Sequence, residues 1–130
     1  MERQGAEGWV TAFFASWETG DGGAAAALFT EDAQYASHPF AEPLRGRPAI
    51  AAYWSAAAMR QTDIDIHVGR PVVDGERVAV EWWVSLSEGA EDSVSTGMLI
   101  LLFDGDLCAS LREVWMERPG RVLPPEGWGS

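Results

Sequence analysis

Apolar residues in the first half of the chain follow the spacing of amphipathic helices. Trp9, Phe13 and Trp17 recur every fourth residue and so share one face of a first helix. A glycine-rich stretch ends that helix, and Asp21 is a suitable N-cap for a short alanine-rich second helix. Pro48 suits the first turn of a third helix. The inner face of this third helix carries Ile50, Tyr53, Trp54 and Ala57.

From Thr62 onward the apolar residues alternate with polar ones, which is the period of β-strands. Turn signals at Asp74-Gly75 and Asp104-Gly105 separate the later apolar runs. The pattern predicts four antiparallel strands in a meander, after a short strand near residues 34–37. Helices followed by strands predict an α+β fold, with the N-terminal helices packed in the concave face of a curved, mainly antiparallel sheet.

The strand predicted for residues 94–103 is apolar on both faces. One face covers the helices, and the other needs a second cover. We therefore expect a homodimer formed through the outer sheet face, with the chain's own tail as the alternative cover. The whole chain, residues 1–130, is expected to be one domain with its core at about residues 8–118. The proline- and glycine-rich segment 119–130 is expected to be a loose tail.

Composition narrows the possible partners. The net charge of −11 and the lack of any basic cluster argue against nucleic-acid binding. The longest apolar run, Met98–Phe103, is too short to span a membrane. A single cysteine, Cys108, excludes an internal disulfide, and the first residues lack the pattern of a signal peptide. The expected location is the cytoplasm.

The first candidate for proton chemistry is His38, which directly precedes Pro39. A residue before proline is held extended, so its side chain is presented rigidly at the end of a strand. Imidazole titrates near neutral pH and can act as a general acid or base. Glu42 can orient His38, or it can pair with Arg45 or Arg47 instead. The structural alternative for His38 is a strand-end histidine bonded to the backbone or to Glu42.

Metal and cofactor motifs are missing from the sequence. Asp63, Asp65 and His67 share one face of a strand, but the opposite face carries the isoleucines. A solvated outer face is therefore the simpler interpretation of these three residues. No Cys/His cluster supports zinc, and no glycine-rich loop follows a strand as phosphate binding requires. We expect no metal and no cofactor.

Three segments carry a family resemblance. AFFASWETGDGGAAAALFTEDAQY, PLRGRPAIAAYW and REVWMERP, at residues 12–35, 43–54 and 112–119, resemble the SnoaL-like branch of the nuclear transport factor 2-like superfamily. The resemblance spans about residues 8–118, and it points to a bacterial subgroup to which it assigns no reaction. It implies the cone-shaped α+β barrel of ketosteroid isomerase. That scaffold hosts isomerases, hydrolases, dehydratases, cyclases and binding modules, so it does not fix an activity.

The resemblance implies that this chain lacks most of the catalytic residues of two enzymes of the superfamily. The oxyanion-hole tyrosine of the isomerase falls on Phe13, its base on His38 and its protonated aspartic acid on Leu99. The arginine and aspartate of limonene epoxide hydrolase fall on Trp82 and Val84. The resemblance therefore implies a cavity with His38 as its one ionisable group in a catalytic position.

The same template gathers Trp17, Trp54 and Trp82 around the cavity, with Tyr35 and Tyr53 at its edge. Three indoles suit a flat or cyclic apolar ligand, although ordinary core packing is a competing explanation. On the last strand, Arg112 and Glu113 point to opposite faces, so only one of them enters the cavity. The sequence leaves that choice open.

These observations predict binding of a small hydrophobic, cyclic molecule in a Trp-lined cavity. They also predict cofactor-independent acid–base chemistry of the isomerase, lyase or cyclase type, with His38 as the catalytic group and Glu42 as its support. The first alternative is a non-catalytic ligand-binding module of the same fold. The second is a structural dimer whose cavity is incidental.

Overall fold

Three helices precede most of the sheet, as the apolar spacing predicts. The computed structural model describes residues 1–130. Its helices are α1 (Arg3–Thr19), α2 (Gly22–Ala26) and α3 (Arg47–Arg60). Gly20 ends α1 in the left-handed conformation, with φ 72°, which glycine adopts without steric cost. The Asp21 carboxylate caps α2 by accepting the backbone N–H of Ala24 at 2.9 Å.

Seven strands form one curved, mostly antiparallel sheet, which confirms the predicted α+β class. They are β1 (Phe29–Ala36), β2 (Leu44–Arg45), β3 (Gln61–Val68), β4 (Val72–Asp74), β5 (Arg77–Glu88), β6 (Glu91–Asp104) and β7 (Leu107–Pro119). Their order is β2-β1-β7-β6-β5-β3, and β4 pairs with β5 beside this path. The sheet is open and does not close into a barrel.

One pairing departs from the predicted meander. β1 lies parallel to β7, with Tyr35 opposite Leu111, and so extends the sheet beyond β7. Alternation and turn signals report only contacts between neighbouring segments. They therefore predict the antiparallel four-strand meander, which the structure confirms as β3, β5, β6 and β7, and they miss this long-range pair.

The strands alternate between an inner face that covers the helices and an outer face. On β6, Leu99 and Leu101 are buried on the inner face, whereas Met98 and Leu102 are exposed on the outer face. The helices add Trp9, Phe13 and other aromatic residues to the same core. None of the helices is long and apolar enough to cross a membrane.

The C-terminal segment is not loose, contrary to expectation. The indole N–H of Trp83 donates to the carbonyl of Val122 at 2.7 Å. The backbone N–H of Arg70 donates to the carbonyl of Gly129 at 2.8 Å. Trp128 packs edge-on against Trp83, with ring centroids 5.9 Å apart. Proline and glycine suppress regular secondary structure without preventing such contacts. The segment therefore covers part of the outer face of β5.

Candidate functional site

A cavity of about 90 Å³ lies between the C-terminal half of α1, the helix α3 and the inner face of the sheet. Its lining combines seven aromatic residues with six polar or charged ones. The lining residues are Phe13, Phe14, Trp17, Tyr53, Trp54, Ala57, Arg60, Gln61, Trp82, Leu86, Glu88, Ser95, Glu113, Trp115 and Glu117. An apolar enclosure with a few converging polar groups is the usual form of a small-molecule site.

The three predicted tryptophans lie together at this cavity. The ring centroids of Trp17 and Trp54 are 5.0 Å apart, and those of Trp17 and Trp82 are 5.7 Å apart. Phe13 meets Trp54 edge-on at 5.6 Å. The indole N–H of Trp17 donates to Oε1 of Gln61 at 2.7 Å, which fixes the ring at the mouth. The rings thus surround a space and do not fill it completely.

Glu113, and not Arg112, faces the cavity. In the β6–β7 register Glu113 lies opposite the buried Leu99, and Arg112 lies opposite Ile100 on the outer face. Trp115 and Glu117 follow Glu113 at alternate positions of β7 and line the cavity as well. Gly97 lies opposite Trp115, and an added Cβ at Gly97 would meet the Cβ of Trp115 at 2.7 Å. The two strands therefore need glycine at this point.

The carboxyl group of Glu113 has no ionic partner. Neither of the two salt bridges in the structure involves it. The side chain is half-buried in the cavity wall, and this desolvation raises its pKa from 4.5 to about 8, because it disfavours the charged form. Glu113 therefore keeps its proton through most of the neutral range.

Two tyrosines lie near enough to respond to Glu113. Burial first, and then the charge of Glu113, raise the pKa of Tyr35 well above its ordinary value. The same two causes raise the pKa of Tyr53, which lines the cavity and is partly exposed. Tyr35 is fully buried beneath the cavity wall and is not a lining residue.

Three polar atoms in this region are buried without a hydrogen-bond partner: the Tyr35 hydroxyl and the indole nitrogens of Trp54 and Trp82. Burial raises the pKa of the Tyr35 phenol, and the nearby Trp54 N–H opposes part of that rise. No hydrogen bond joins the two groups, so both remain unsatisfied. Each unsatisfied group costs about 1–3 kcal/mol. A buried polar group without a partner calls for an explanation in a native protein, and a functional role is one of them.

The structure does not bring His38 and Glu42 to the cavity. Both side chains are exposed in the turn after β1, where the Ala41 N–H donates to the His38 carbonyl at 3.2 Å. Neither residue is part of the cavity lining. Proline does fix the end of the strand, but the strand ends before His38, so the pleat does not control the direction of its side chain. The expected position of His38 inside the cavity is therefore wrong.

Val84 and Leu99 are buried in the core beside the cavity and do not line it. Other lining residues escaped the sequence analysis: Arg60, Gln61, Glu88, Ser95, Trp115 and Glu117. The alternation Glu113-x-Trp115-x-Glu117 was a usable signal, because residues two apart on a strand share a face. On the outer side, His67 and Asp65 form an exposed pair at 3.1 Å.

Residues 10–111 match the family described as the SnoaL-like domain. No curated protein sequence matches the chain. Solved structures with the same fold include a ketosteroid isomerase-like protein from Catenulispora acidiphila in complex with trimethylamine. It is 18% identical, the match covers 82% of this chain and 83% of that one, and the TM-score is 0.75.

Two further solved structures with this fold are of proteins named as enzymes. An epoxide hydrolase/cyclase-like enzyme of pyran ring formation in salinomycin is 20% identical, with 88% and 93% coverage and a TM-score of 0.77. An epoxide hydrolase of Mycobacterium tuberculosis, similar to the limonene enzyme, is 20% identical, with 89% and 86% coverage and a TM-score of 0.76. At these identities the likeness shows the fold alone.

Proposed function

The chain belongs to the SnoaL-like domain family, and on that premise we propose that it is a cofactor-independent acid–base enzyme. It binds a small hydrophobic molecule in the aromatic cavity and carries out a reaction of the isomerase, lyase or cyclase type. Glu113, rather than His38, transfers the proton. The observation that supports this assignment most directly is an unpaired carboxyl group in the wall of a cavity rich in aromatic rings.

The pKa of Glu113, about 8, suits this role. A catalytic acid or base is most effective when its pKa lies near the working pH, because the group then both gives and takes protons readily. An ordinary glutamate is fully ionised at neutral pH and is a poor acid. Perturbed carboxyls in clefts are frequent markers of active sites.

The aromatic wall supplies the second requirement, a dry and oriented substrate. Trp17, Trp54 and Trp82 restrict the position of a small ring and exclude water from the proton transfer. The cavity of about 90 Å³ limits the enclosed part of the ligand to a few heavy atoms. Structural neighbours described as epoxide hydrolase- or cyclase-like, and one in complex with trimethylamine, are consistent with a small-molecule cavity.

Hydrogen–deuterium exchange tests the proposal without knowledge of the net reaction. Small carbonyl compounds, both neutral and amine-bearing, are incubated with the protein in D₂O and analysed by mass spectrometry. For a compound that binds, we expect deuterium to replace hydrogen on the carbon next to the carbonyl. Glu113→Gln should slow this exchange by roughly 10²–10⁴-fold, the usual contribution of general acid–base catalysis.

His38→Ala is the matched control in the same exchange assay. Because His38 is exposed and outside the cavity, its removal should leave the exchange rate unchanged. A rate lost with His38→Ala and kept with Glu113→Gln would reverse our assignment of the catalytic group.

A non-catalytic binding module is the second candidate. It is favoured by the absence of an orienting partner, because no hydrogen bond or ion pair positions the Glu113 carboxyl. Compounds that bind in the cavity but never exchange a proton would establish this function and contradict the enzyme proposal.

We also propose that the protein is a homodimer through the outer face of β6 and β7. Met98, Leu102, Val114 and Met116 leave 38–72% of their surface exposed on this face. The C-terminal segment covers the outer face of β5 and leaves these residues open. Light scattering should give twice the chain mass, and Met116→Glu should shift the protein to the monomer. A monomeric parent protein at micromolar concentration would contradict the dimer.

We place the protein in the cytoplasm. Cys108, its one cysteine, is a buried free thiol, as expected in a reducing compartment. Cell fractionation with an antibody against the chain tests this location, and recovery with the extracytoplasmic fraction would contradict it.

A further inference from the structure

The cavity combines aromatic faces with an excess of negative charge. Seven of its fifteen lining residues are aromatic, and four of these are tryptophans. Three carboxyl groups also reach it, from Glu88 on β5 and from Glu113 and Glu117 on β7. Arg60 is its only lining cation. Tryptophan faces attract cations through the ring quadrupole, most strongly where water is excluded.

None of the three carboxyl groups is neutralised by the protein. The structure contains two salt bridges, which join Met1 to Glu76 and His67 to Asp65, both away from the cavity. Arg60 donates instead to the carbonyl of Ala56 on its own helix, at 3.1 Å. The cavity therefore lacks a counter-ion for the carboxyl group of Glu113.

We propose that the ligand of the cavity is a small organic cation of the alkylammonium class, with its charge between the tryptophan faces and the Glu113 carboxylate. This inference rests on the proposed function, because it assigns a substrate class to the same cavity. The bound cation supplies the counter-charge that the protein itself does not supply. Its apolar substituents fit the aromatic wall, as expected for a hydrophobic ligand.

Four elements around Glu113 bring titratable or charged side chains toward it. β1 contributes Tyr35, α3 contributes Tyr53 and Arg60, β5 contributes Glu88, and β7 contributes Glu117. The lining residues of α1 and β6 carry no charge. The carboxyl groups outnumber the one arginine, so the local field favours a cation.

Cation binding and ionisation of Glu113 are coupled in this arrangement. An ammonium beside the carboxyl favours its charged form, so binding near neutral pH releases a proton to solvent. By the same linkage, affinity rises with pH until Glu113 is ionised in the free protein. The ligand thereby converts Glu113 from an acid into a base at the moment of binding.

The test compares tetramethylammonium chloride with tert-butanol, a neutral molecule of nearly the same size and shape. Tetramethylammonium keeps its charge at every pH, so any pH dependence belongs to the protein. By calorimetry near pH 8 we expect it to bind at least about 10-fold more tightly than tert-butanol. Its affinity should fall roughly 10-fold as the pH falls from about 8 to about 6.5. Buffers of different ionisation enthalpy should reveal proton release.

Three substitutions test which residues cause the affinity for tetramethylammonium and its pH dependence. Glu113→Gln should weaken tetramethylammonium binding and remove its pH dependence, whereas Glu7→Gln, the same change at an exposed site on α1, should do neither. Trp82→Leu should weaken tetramethylammonium binding more than tert-butanol binding, because only the cation uses the ring quadrupole. The pH series on the parent protein needs no variant, so a folding defect in either variant leaves the test intact.

Equal affinity for the two molecules, or tighter binding of tert-butanol, would overturn the cation inference and leave the proposed small-molecule site standing. Binding of tetramethylammonium without pH dependence would remove Glu113 from the inference. If neither molecule binds and no compound in the exchange panel binds, the proposed function is overturned as well.

Discussion

The two ends of the aromatic core use the same residue type in opposite ways. At the N-terminal end of α1, the indole N–H of Trp9 donates to the carbonyl of Leu28 at 2.8 Å, and its ring stacks on Phe13 at 5.2 Å. At the cavity end, Trp54 and Trp82 are equally buried, yet their N–H groups have no partner. The first end is fully satisfied, and the second is not.

This difference separates stability from function within one core. A satisfied indole contributes both buried area and a hydrogen bond to folding. Unsatisfied groups beside a space reduce stability, and that cost is tolerated where the space is useful. The core is therefore best described as a stabilising end around Trp9 and a binding end around Trp54, joined by Phe13.

The largest effect on stability is expected from a substitution at the stabilising end of the core. Trp9→Ala removes the hydrogen bond to Leu28 and the edge contact with Phe103, at 5.4 Å, from the buried core. We expect a loss of about 3–5 kcal/mol in the free energy of unfolding, measured by urea denaturation. Trp17→Ala, at the cavity mouth, should cost less because the Trp17 ring is only half-buried. Equal losses would contradict the division of the core.

The second effect concerns the pH dependence of stability. At low pH the Glu113 carboxyl is protonated in both the folded and the unfolded chain, so its charge does not affect the free energy of unfolding. Between its ordinary pKa of 4.5 and its folded pKa of about 8, the unfolded chain has lost the proton that the folded chain keeps. The Glu113 contribution to stability therefore falls as pH rises through this window and is constant above it.

Glu113→Gln should remove that contribution and raise stability by about 1–3 kcal/mol near pH 9 relative to the parent protein. Urea denaturation at acid and alkaline pH measures it, with Glu7→Gln as the exposed control. A Glu113→Gln variant that follows the parent at every pH would show that the carboxyl is not desolvated.

A smaller effect tests the unsatisfied groups. Tyr35→Phe removes a fully buried hydroxyl without a partner and keeps the ring. We expect stabilisation by about 1 kcal/mol, seen as a higher urea midpoint at unchanged slope. Tyr53→Phe, at a partly exposed ring, is the control and should change stability by less. Destabilisation by Tyr35→Phe would mean that the hydroxyl has an unseen partner.

The smallest effect is expected at His38. Its side chain is exposed and makes no hydrogen bond, so His38→Ala should change the free energy of unfolding by no more than about 0.5 kcal/mol. Affinity for tetramethylammonium should be unaffected. A larger change in either would place His38 in contact with one of the two ends.

Local pattern predicted the helices, the later strands and the fold class, because period and turn chemistry act between near neighbours. Local pattern also places Trp17, Trp54 and Trp82 on apolar faces of regular elements, whereas their meeting at one cavity is implied only by the family resemblance. The parallel β1–β7 pair did not follow, because it depends on segments far apart in the chain.

The catalytic candidate illustrates the same limit within the site. The chemistry of His38 and its place before Pro39 point to a catalytic role, but His38 lies two residues beyond Ala36, the last paired residue of β1. Glu113 was left undecided against Arg112, because alternation gives relative faces and not which face is inner. The register with Leu99 decides it, and that register exists only in the assembled sheet.

The parallel pair also has a kinetic consequence. β1 cannot complete its hydrogen bonds until β7 is in place, and the residues between them include α3 and most of the sheet. Long-range pairings of this kind raise contact order and slow folding, typically to milliseconds or seconds. The helices that face the cavity and the strand that carries Glu113 thus meet late. Until then the tryptophans are exposed, so low temperature and low protein concentration should favour recovery of the native chain over aggregation.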